Sequence, residues 1–454
     1  MEKTIAAIAT ANGLGGIGVI RISGENALSV AESVFRSATG KKIMEMKGYT
    51  AAYGKVCDQE ETIDEAVALV FRAPHSYTGE DVVELSCHGG LYVTKRVLRT
   101  VLKNGAVPAQ AGEFTKRAFL NGKTGLMEAE AVMNIISARG AQSARAALSC
   151  MDGQLRRRID KVRLSLVNTA AHLSAWADYP EEDIPEVDTE HLTQTLKDCQ
   201  QELQFLLDAY DTGKIMREGV DTVIAGRPNV GKSTIMNLLS GCERSIVTNV
   251  PGTTRDIIEE TVMLGEIPLR LSDTAGIHTT EDPVEKIGVE KARSRLLQAG
   301  LVLAVFDASR PLSEDDKQLI GLLSEAPTLA IINKTDLPSR IDTDYITAHL
   351  PHVVRLSALT GNGTDELERQ VADIIGTSQL DASQGVLANE RQRSAAEDAL
   401  HSVIEAIEAV GMGLTLDAVT VIIEEAIDSL LSLTGERVTE SVVEQVFSHF
   451  CVGK

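Results

Sequence analysis

A glycine-rich run near the middle of the chain constrains the fold more than any other feature. The run Gly226-Arg227-Pro228-Asn229-Val230-Gly231-Lys232-Ser233 fits the pattern G-x-x-x-x-G-K-[ST], with an apolar strand-like segment before it and a helix predicted over residues 234–239. Glycine lets the backbone wrap around a polyphosphate, and the exposed N–H groups at a helix start hold negative charge. The pattern therefore predicts an α/β nucleotide-binding domain in which Lys232 reaches the outer phosphates and Ser233 ligates Mg²⁺.

Further motifs follow this run in a fixed order. They are Gly252-Thr253-Thr254-Arg255-Asp256, Asp273-Thr274-Ala275-Gly276, Asn333-Lys334-Thr335-Asp336 and Ser357-Ala358-Leu359, the last three each placed after a predicted strand. Thr254 can complete the Mg²⁺ shell. The ordered set resembles the P-loop GTPase family, in which the Asn-Lys-x-Asp motif reads guanine through its carboxylate, here Asp336. ATPases of the same fold lack this set, so GTP is favoured over ATP.

The motifs together define a predicted GTP site. Its residues are Asn229, Val230, Gly231, Lys232, Ser233, Thr234, Thr248, Asn249, Val250, Pro251, Gly252, Thr253, Thr254, Asp273, Thr274, Ala275, Gly276, Asn333, Lys334, Thr335, Asp336, Ser357, Ala358 and Leu359.

Length and charge limit the remaining possibilities. A chain of 454 residues suggests two to four domains, and its formal net charge of -21 makes it a poor non-specific binder of nucleic acid. Any RNA contact must use a local basic patch or a partner. The densest basic run, Arg156-Arg157-Arg158, is interpreted as a solvated helix face rather than an RNA patch. Six scattered cysteines without a CxxC pair favour a reducing compartment and argue against zinc. No apolar stretch approaches membrane-spanning length, so we expect a cytoplasmic protein.

Residues 1–120 are predicted to form an α+β domain, with strands at 17–23, 50–57, 66–71 and 82–86 and helices at 26–35 and 91–104. The run Gly13-Leu14-Gly15-Gly16-Ile17-Gly18 matches GxGxxG, but it opens a strand, whereas a dinucleotide fingerprint opens a helix. We interpret it as a loop. Cys87, in Cys87-His88-Gly89-Gly90, is interpreted as a small buried residue rather than a catalytic thiol.

Helical periodicity dominates both sides of the nucleotide-binding segment. Helices are predicted over residues 127–151, 155–177, 188–210, 389–410, 416–433 and 440–450. The simplest architecture is a P-loop GTPase domain (216–378) inserted into an all-α helical domain (121–215 and 379–454), preceded by the α+β domain (1–120). The segment Cys451-Val452-Gly453-Lys454 fits a prenylation signal badly, and a frayed terminus is the alternative.

With these pieces placed, the whole chain resembles the MnmE (TrmE) family of bacterial and organellar tRNA-modification GTPases. Besides the GTPase motifs, the resemblance rests on Arg21-Ile22-Ser23-Gly24, Tyr77-Thr78-Gly79-Glu80-Asp81, Cys87-His88-Gly89-Gly90, Gly112-Glu113-Phe114-Thr115 and Cys451-Val452-Gly453-Lys454, where Val452 replaces the usual Ile. The family implies an N-terminal domain that binds folate and forms a homodimer. It also implies a heterotetramer with the flavoprotein MnmG. Together, the two proteins would build aminomethyl or carboxymethylaminomethyl groups on the wobble uridine of certain tRNAs.

The resemblance also implies a folate site. Arg21, Glu84, Lys123 and Lys454 would bind a reduced folate such as 5-formyltetrahydrofolate, the one-carbon donor. The chemistry agrees, because the glutamate tail of a folate needs cations and its pterin N–H groups suit a carboxylate. Without the resemblance, each of these four residues reads as an ordinary surface charge.

Many GTPases orient the attacking water with a Gln after the Asp-x-x-Gly motif, but this position holds Ile277 here. The resemblance implies two substitutes. Asn229 would ligate K⁺ with Thr248, Val250 and Thr253, and Glu285 would orient water. For Glu285, a helix-start carboxylate is the competing interpretation.

Two functions from different classes remain open. The first is a GTP-driven tRNA-modifying enzyme, and the second is an Era-like or Der-like GTPase switch that acts in ribosome assembly without modification chemistry. Those switches lack the 120-residue N-terminal module and the Cys-x-Gly-Lys end, which favours the first.

Overall fold

The computed structural model describes residues 3–138, 140–178, 187–241, 260–273, 296, 298–324, 326–376 and 385–454. The backbone contacts divide the chain into two compact units. The first unit comprises Met1–Met133 with Asp428–Lys454, and the second comprises Asn134–Ile427. The domain boundaries proposed above stay predictions.

The described residues contain both strands and helices, with runs of consecutive helices before and after the second sheet. The strands are β1 (Ile5–Ile8), β2 (Ile17–Ser23), β3 (Phe35–Ser37), β4 (Thr50–Asp58), β5 (Glu61–Phe71), β6 (Val82–His88), β7 (Val107–Pro108), β8 (Val220–Ala225), β9 (Glu260–Leu264), β10 (Ile267–Asp273), β11 (Leu301–Asp307), β12 (Thr328–Asn333) and β13 (His352–Arg355). The helices are α1 (Ala27–Val34), α2 (Leu91–Lys103), α3 (Glu113–Leu120), α4 (Leu126–Ser137), α5 (Ala141–Met151), α6 (Gln154–Asp178), α7 (Thr189–Glu218), α8 (Lys232–Gly241), α9 (Glu314–Leu323), α10 (Thr343–His349), α11 (Thr364–Ile375), α12 (Glu390–Gly411), α13 (Leu416–Thr434) and α14 (Glu440–Ser448).

A seven-stranded sheet in the order β3-β4-β5-β6-β2-β1-β7 organises the first unit. Neighbouring strands in this sheet are antiparallel, except for β1 and β7, which are parallel. Because side chains alternate along a strand, Ile20, Ile22 and Leu85 are buried in a core that also contains apolar residues of α1 and α2. Arg21 and Glu84, their neighbours in sequence, therefore point to the opposite face of the sheet.

The helix α14 packs against α3 in the same unit. Phe447 and Phe450 form an apolar cluster with Leu126 and Val443. This cluster is what places residues 451–454 beside the N-terminal sheet, because the segment follows Phe450 directly.

A six-stranded sheet in the order β13-β12-β11-β8-β10-β9 lies in the second unit. All neighbours are parallel except β9 and β10. Every residue of β11 and β12 is buried, which is typical of central parallel strands covered on both faces. The carboxyl ends of these strands meet at one edge, where ligands of open α/β sheets bind.

A helix that precedes this sheet in the chain packs against a helix that follows it. Helix α7, which precedes the sheet, contacts α12, which follows it, and α5 and α6 complete the group. Asp188 caps α7 by accepting from Glu190 N at 2.9 Å, and Asn389 caps α12 by accepting from Gln392 N at 2.9 Å. This pairing confirms the predicted fold class, in which an α/β domain interrupts a helical one.

The junction between α7 and the sheet is short. Only Gly219 separates α7 from β8, and its φ of +85° lies in the region that favours glycine. A Cβ at this position would lie 2.9 Å from the carbonyl oxygen of Pro268, the second residue of β10. The end of the helix is thus seated closely on the sheet.

Several elements differ from the sequence prediction. The elements that were not predicted are strands β1, β3, β7, β9 and β11 and helices α3, α9, α10 and α11. Helix α7 continues to Glu218 instead of ending near Tyr210. The helix predicted over 127–151 is two helices, α4 and α5, because Gly140 is extended (φ -149°) and serves as the N-cap of α5. The GxGxxG run lies in the loop before β2, as predicted.

The arginine run of α6 is engaged in local contacts. Arg156 lies 3.7 Å from Asp160, and Arg158 donates to Glu202 at 2.6 Å. Because Glu202 belongs to α7, Arg158 contacts a second helix, and its guanidinium also lies 4.5 Å from the ring centroid of Phe205. The interpretation of the whole run as a solvated helix face stays a prediction. Among the helices that the structure describes, none combines the length and apolar character that a membrane crossing requires.

Candidate functional sites

The predicted phosphate loop connects β8 to α8 at the carboxyl edge of the six-stranded sheet. Gly226 and Gly231 have φ values of +146° and +105°. A Cβ on Gly226 would lie 2.5 Å from the Val305 carbonyl oxygen, and one on Gly231 would lie 2.3 Å from Asn333 Nδ2. Glycine is therefore required at both positions by close approach as well as by backbone conformation.

The start of α8 carries the residues expected to meet phosphate and Mg²⁺. Lys232 Nζ donates to the carbonyls of Gly226 at 2.6 Å and Arg227 at 2.9 Å, so the ammonium lies across the loop. Ser233 and Thr234 are exposed in the first turn of the helix. The hydroxyls and helix N–H groups at this end form the donor set that a Mg²⁺-bound polyphosphate requires.

Asn333 joins the phosphate loop to the third motif of the site. Its buried side chain donates from Nδ2 to the Val230 carbonyl at 3.0 Å and accepts at Oδ1 from Ala358 N at 3.0 Å. Both ends of the amide are thus used for holding two loops together. These motifs, far apart in sequence, therefore lie together at one edge of the sheet.

Lys334 makes a second bridge at the same edge. Its Nζ donates to the Asn229 carbonyl at 2.7 Å and to Asp307 Oδ2 at 2.6 Å. Asp307 also accepts from Ser309 N and Oγ, at 2.9 and 2.6 Å. Burial alone would raise the pKa of Asp307, but the bonds from Lys334 and Ser309 outweigh it and lower that pKa below its ordinary value.

Asp307 is the member of this site that sequence reasoning missed. It belongs to none of the motifs, and its signal is its place as the last residue of the buried strand β11. At the carboxyl edge of a parallel sheet such a carboxylate lies beside the ligand-binding loops.

The segment predicted to recognise the base is held in place through Asp336. Its Oδ1 accepts from Ser357 Oγ at 2.6 Å, and Thr335 N donates to the Leu356 carbonyl at 3.3 Å. Leu359 is 80% exposed, which leaves an apolar surface at the mouth of this loop. A carboxylate oriented by one hydroxyl retains acceptor capacity for the N–H groups of a guanine base.

Asp273 ends β10 beside Ile224 of β8, so its backbone reaches the same edge of the sheet. The remaining predicted residues lie outside the described part of the chain. They are Thr248, Asn249, Val250, Pro251, Gly252, Thr253, Thr254, Thr274, Ala275, Gly276, Ile277 and Glu285.

A second group of charges lies on the open face of the N-terminal sheet. Arg21 and Glu84 are directly opposite each other on β2 and β6, and Arg21 Nε donates to Glu84 Oε1 at 2.8 Å. The guanidinium carbon of Arg21 lies 5.3 Å from the ring centroid of Tyr77 and 5.6 Å from that of Phe114. The arginine is therefore fixed by an ion pair and two aromatic rings.

Residues 451–454 complete this group. Val452 pairs with Ala111 as an isolated antiparallel bridge, and the Gly453 carbonyl accepts from Arg21 at 3.3 Å. The segment is ordered against the sheet, so a frayed terminus is the wrong interpretation. Burial lowers the pKa of the half-buried Lys454, the charge of Arg21 lowers it further, and Glu84 opposes both.

Lys123 lies between α3 and α4, and its side chain contacts the loop that carries Tyr77. Its Nζ donates to the Pro74 carbonyl at 3.1 Å, and its Cγ would lie 3.2 Å from a Cβ on Gly79. The structure thus brings Arg21, Glu84 and Lys454 together and attaches Lys123 to the adjoining loop.

Buried charges support the loop of residues 74–81. Arg117, in α3, donates to Glu80 at 3.0 Å and to Glu113 at 2.9 Å. Ser23 donates to Glu80 at 2.7 Å and lies 2.7 Å from the hydroxyl of the buried Thr78. A loop with this many charged partners holds one conformation. Cys87 is buried nearby in sequence, and burial raises its pKa to about 11, which agrees with a structural thiol.

Comparison with known proteins covers the whole chain. A profile of the MnmE helical domain matches residues 126–451, and one of the GTP-binding protein TrmE N-terminus matches residues 4–123. The tRNA modification GTPase MnmE of Alkaliphilus metalliredigens (strain QYMF) is 43% identical over 459 residues, with 100% of both chains covered. The tRNA modification GTPase MnmE of Symbiobacterium thermophilum is 44% identical over 457 residues, again with 100% of both chains covered.

Solved structures match only in part. The G domain of the FeoB iron transporter of T. maritima is 28% identical, covers 34% of this chain and 98% of its own, and gives a TM-score of 0.27. A TM-score this low carries no structural conclusion.

Proposed function

This chain belongs to the MnmE family of tRNA modification GTPases, and from that premise we propose that it hydrolyses GTP to drive modification of the wobble uridine of certain tRNAs. The observation that carries the GTP site is the Asn333 side chain, which joins the phosphate loop to the 357–359 loop through two hydrogen bonds. A site built this way presents phosphate ligands and a guanine-reading carboxylate to one nucleotide.

The chemistry of the described residues fits GTP and Mg²⁺. The two glycines of the loop leave room only for backbone, and the exposed Ser233 hydroxyl is placed at the helix start. We assign Ser233 and Thr254 as Mg²⁺ ligands and Asp336 as the acceptor for guanine N–H groups. Mg²⁺ would neutralise charge on the phosphates.

We propose that hydrolysis depends on K⁺. The exposed Asn229 has a φ of +63° in the phosphate loop, and with Thr248, Val250 and Thr253 it would supply the oxygen ligands. K⁺ would offset charge that develops between the phosphates. Glu285 would orient the attacking water, because Ile277 replaces the Gln that serves this purpose in many GTPases.

The group on the N-terminal sheet fits a reduced folate. A folate offers carboxylates to cations, N–H groups to a carboxylate and a flat ring system to aromatic side chains. Arg21, Lys454 and Lys123 supply the cations, Glu84 the carboxylate and Tyr77 an aromatic ring. We propose 5-formyltetrahydrofolate or a related folate as the one-carbon donor.

We further propose a cytoplasmic homodimer that forms a heterotetramer with the flavoprotein MnmG. The net charge of -21 supports a role for this partner in holding tRNA, because an acidic chain has little affinity of its own for phosphates. An Era-like or Der-like switch is the alternative function. It is disfavoured by the profile match over residues 4–123 and by relatives similar along the full chain.

Two experiments test this function. In a strain without this protein, nucleoside analysis should show wobble uridines that lack the aminomethyl-type group, and an unchanged nucleoside profile would refute the modification role.

With purified protein, GTP hydrolysis should be faster in KCl than in NaCl at equal ionic strength, because a coordination cage discriminates by size and ligand number. Equal rates would refute the K⁺ role. Asn229→Ala should abolish the stimulation with little loss of nucleotide affinity.

A further inference from the structure

The carboxylate of Asp307 belongs to no nucleotide-binding motif, yet it is fixed within the site. We propose that Asp307 is a positioning residue that acts through Lys334 to hold the backbone of Asn229, and so links base recognition to the cation-binding loop. The part of this inference that concerns K⁺ rests on the proposed role of Asn229.

Asp307 is a fixed point of the sheet. It ends β11, which lies between β12 and β8, and its side chain is 4% exposed. Ser309 donates twice to Oδ1, which leaves Oδ2 for Lys334 at 2.6 Å. A buried carboxylate with both oxygens occupied has no freedom to follow a moving partner.

Lys334 transmits this position to the phosphate loop. The ammonium lies between Asp307 Oδ2 and the Asn229 carbonyl, at 2.6 and 2.7 Å. Lys334 and Asn229 have φ values of +64° and +63°, a conformation that residues with a Cβ rarely adopt. Asn tolerates this conformation better than most residues, whereas Lys334 needs a constraint, which the bonds of its ammonium to Asp307 and to the Asn229 carbonyl supply.

The consequence is a direct connection between two functions of the site. Lys334 belongs to the motif that reads the base, whereas Asn229 is the proposed cation ligand. Because Lys334 holds Asn229 through its carbonyl, this contact does not use the side-chain amide of Asn229. The competing explanation is that Asp307 only shapes the turn at Ser309, in which case Lys334 would be irrelevant to its effect.

A double-mutant cycle separates these explanations. Asp307→Asn keeps the shape and removes the charge, and Lys334→Met keeps the apolar stem and removes the ammonium. The two single variants, the double variant and the parent are compared for GDP affinity and for the KCl concentration that gives half-maximal GTP hydrolysis. Arg310→Ala is the matched control, because its exposed guanidinium lies 4.0 Å from the same carboxylate without bridging to the loop. Thermal unfolding confirms that each variant is folded.

Asp307→Asn should weaken GDP binding and raise the half-maximal KCl concentration, each by about tenfold, because a charge-assisted hydrogen bond is lost. In the Lys334→Met background the same change should add less than about twofold, because the positioning path is already cut. The control should remain within about twofold of the parent. Full additivity of the two substitutions, or an Asp307→Asn variant equal to the parent in both measurements, would overturn the inference.

The cycle also separates this inference from the K⁺ proposal. If the parent hydrolyses GTP equally fast in KCl and NaCl, the K⁺ role fails, and the part of the inference that concerns the cation fails with it. The positioning role is then decided by GDP affinity alone: a non-additive loss supports it, and an additive loss refutes it.

Discussion

Replacing Gly453 by Ala should remove Lys454 from the proposed folate site without unfolding the N-terminal sheet. Gly453 has a φ of +101°, and a Cβ there would lie 2.3 Å from the Ile8 carbonyl oxygen. The backbone conformation alone costs about 1–2 kcal/mol for a residue with a Cβ. The contact with Ile8 is closer than real Cβ contacts, so one of the two segments must move.

The segment 451–454 should move, because it is held more weakly than β1. Its contacts are the bridge between Ala111 and Val452, a bond from Gly112 N to the Cys451 carbonyl at 3.4 Å and the 3.3 Å bond from Arg21. At about 0.5–1.5 kcal/mol each, such long bonds do not outweigh the paired strands of the sheet. We therefore expect a loss of no more than about 2 kcal/mol in the free energy of unfolding.

Folate affinity should respond more strongly than stability. A hydrogen bond from Lys454 to a ligand carboxylate is worth roughly 1.5–3 kcal/mol, so its loss weakens binding by about one to two orders of magnitude. Calorimetry with 5-formyltetrahydrofolate measures this for the parent, Gly453→Ala and a variant lacking residues 453–454. Gly413→Ala is the control, because its φ of +72° imposes similar strain while a Cβ there meets no atom within 4 Å.

The two shortened or altered variants should lose affinity to the same extent. If Gly453→Ala binds folate as tightly as the parent while the truncated variant does not, the close fit at Ile8 is not what holds the segment. If both bind as the parent does, Lys454 has no part in the site, and Arg21 and Glu84 remain to be tested by substitution.

Other expectations concern the catalytic carboxylate, the thiols and the buried charges. Glu285→Ala should slow GTP hydrolysis by about 10²–10⁴-fold with nucleotide affinity nearly kept, as single-turnover rates and fluorescent nucleotide titration would show, and an unchanged rate would exclude the residue. At pH 8 a thiol reagent should react quickly with the exposed Cys451 and slowly with Cys87, whose pKa of about 11 leaves little thiolate. Cys451→Ser should therefore reduce the amplitude of the fast phase, as a spectroscopic thiol titration would show, whereas Cys87→Ser should leave that amplitude unchanged. Arg117→Ala should lower the stability of the first unit by roughly 3–5 kcal/mol, because it leaves the carboxylate of Glu80 without its buried partner; a change below about 1 kcal/mol in urea unfolding would contradict this.

The GTPase motifs were predictable from sequence because their chemistry demands fixed residue types at short spacing. Gly231 and Asn333 show what the sequence does not contain. Each motif is recognisable alone, but the 2.3 Å approach that forbids a side chain at residue 231 exists only in the folded site. Asp307 was missed for a related reason, since a lone Asp after an apolar run becomes informative only when Lys334 is seen against it.

The missed elements of the N-terminal unit depend on partners distant in sequence. Strand β1 is short and apolar on both faces, because Ala6 packs in the core of the sheet while Ile5 and Ala7 pack with Phe114 on the other face. It therefore lacks the alternation that marks a half-buried strand. Helix α3 contains the charged Arg117, which is tolerated in the interior because it pairs with Glu113 of the same helix and with Glu80, which the loop of residues 74–81 brings to it.

Because only Gly219 joins helix α7 to β8, a tilt at this junction would move the whole helix. A helix of 30 residues is about 45 Å long, and it is seated on the start of the six-stranded sheet at one end. Such a helix acts as a lever: a tilt of about 10° at the junction would displace its far end by about 8 Å. Because α12 packs along α7, the two helices would swing as one stiff arm. A small tilt at the start of the sheet would thereby become a displacement of several ångströms at the far end of the helix pair.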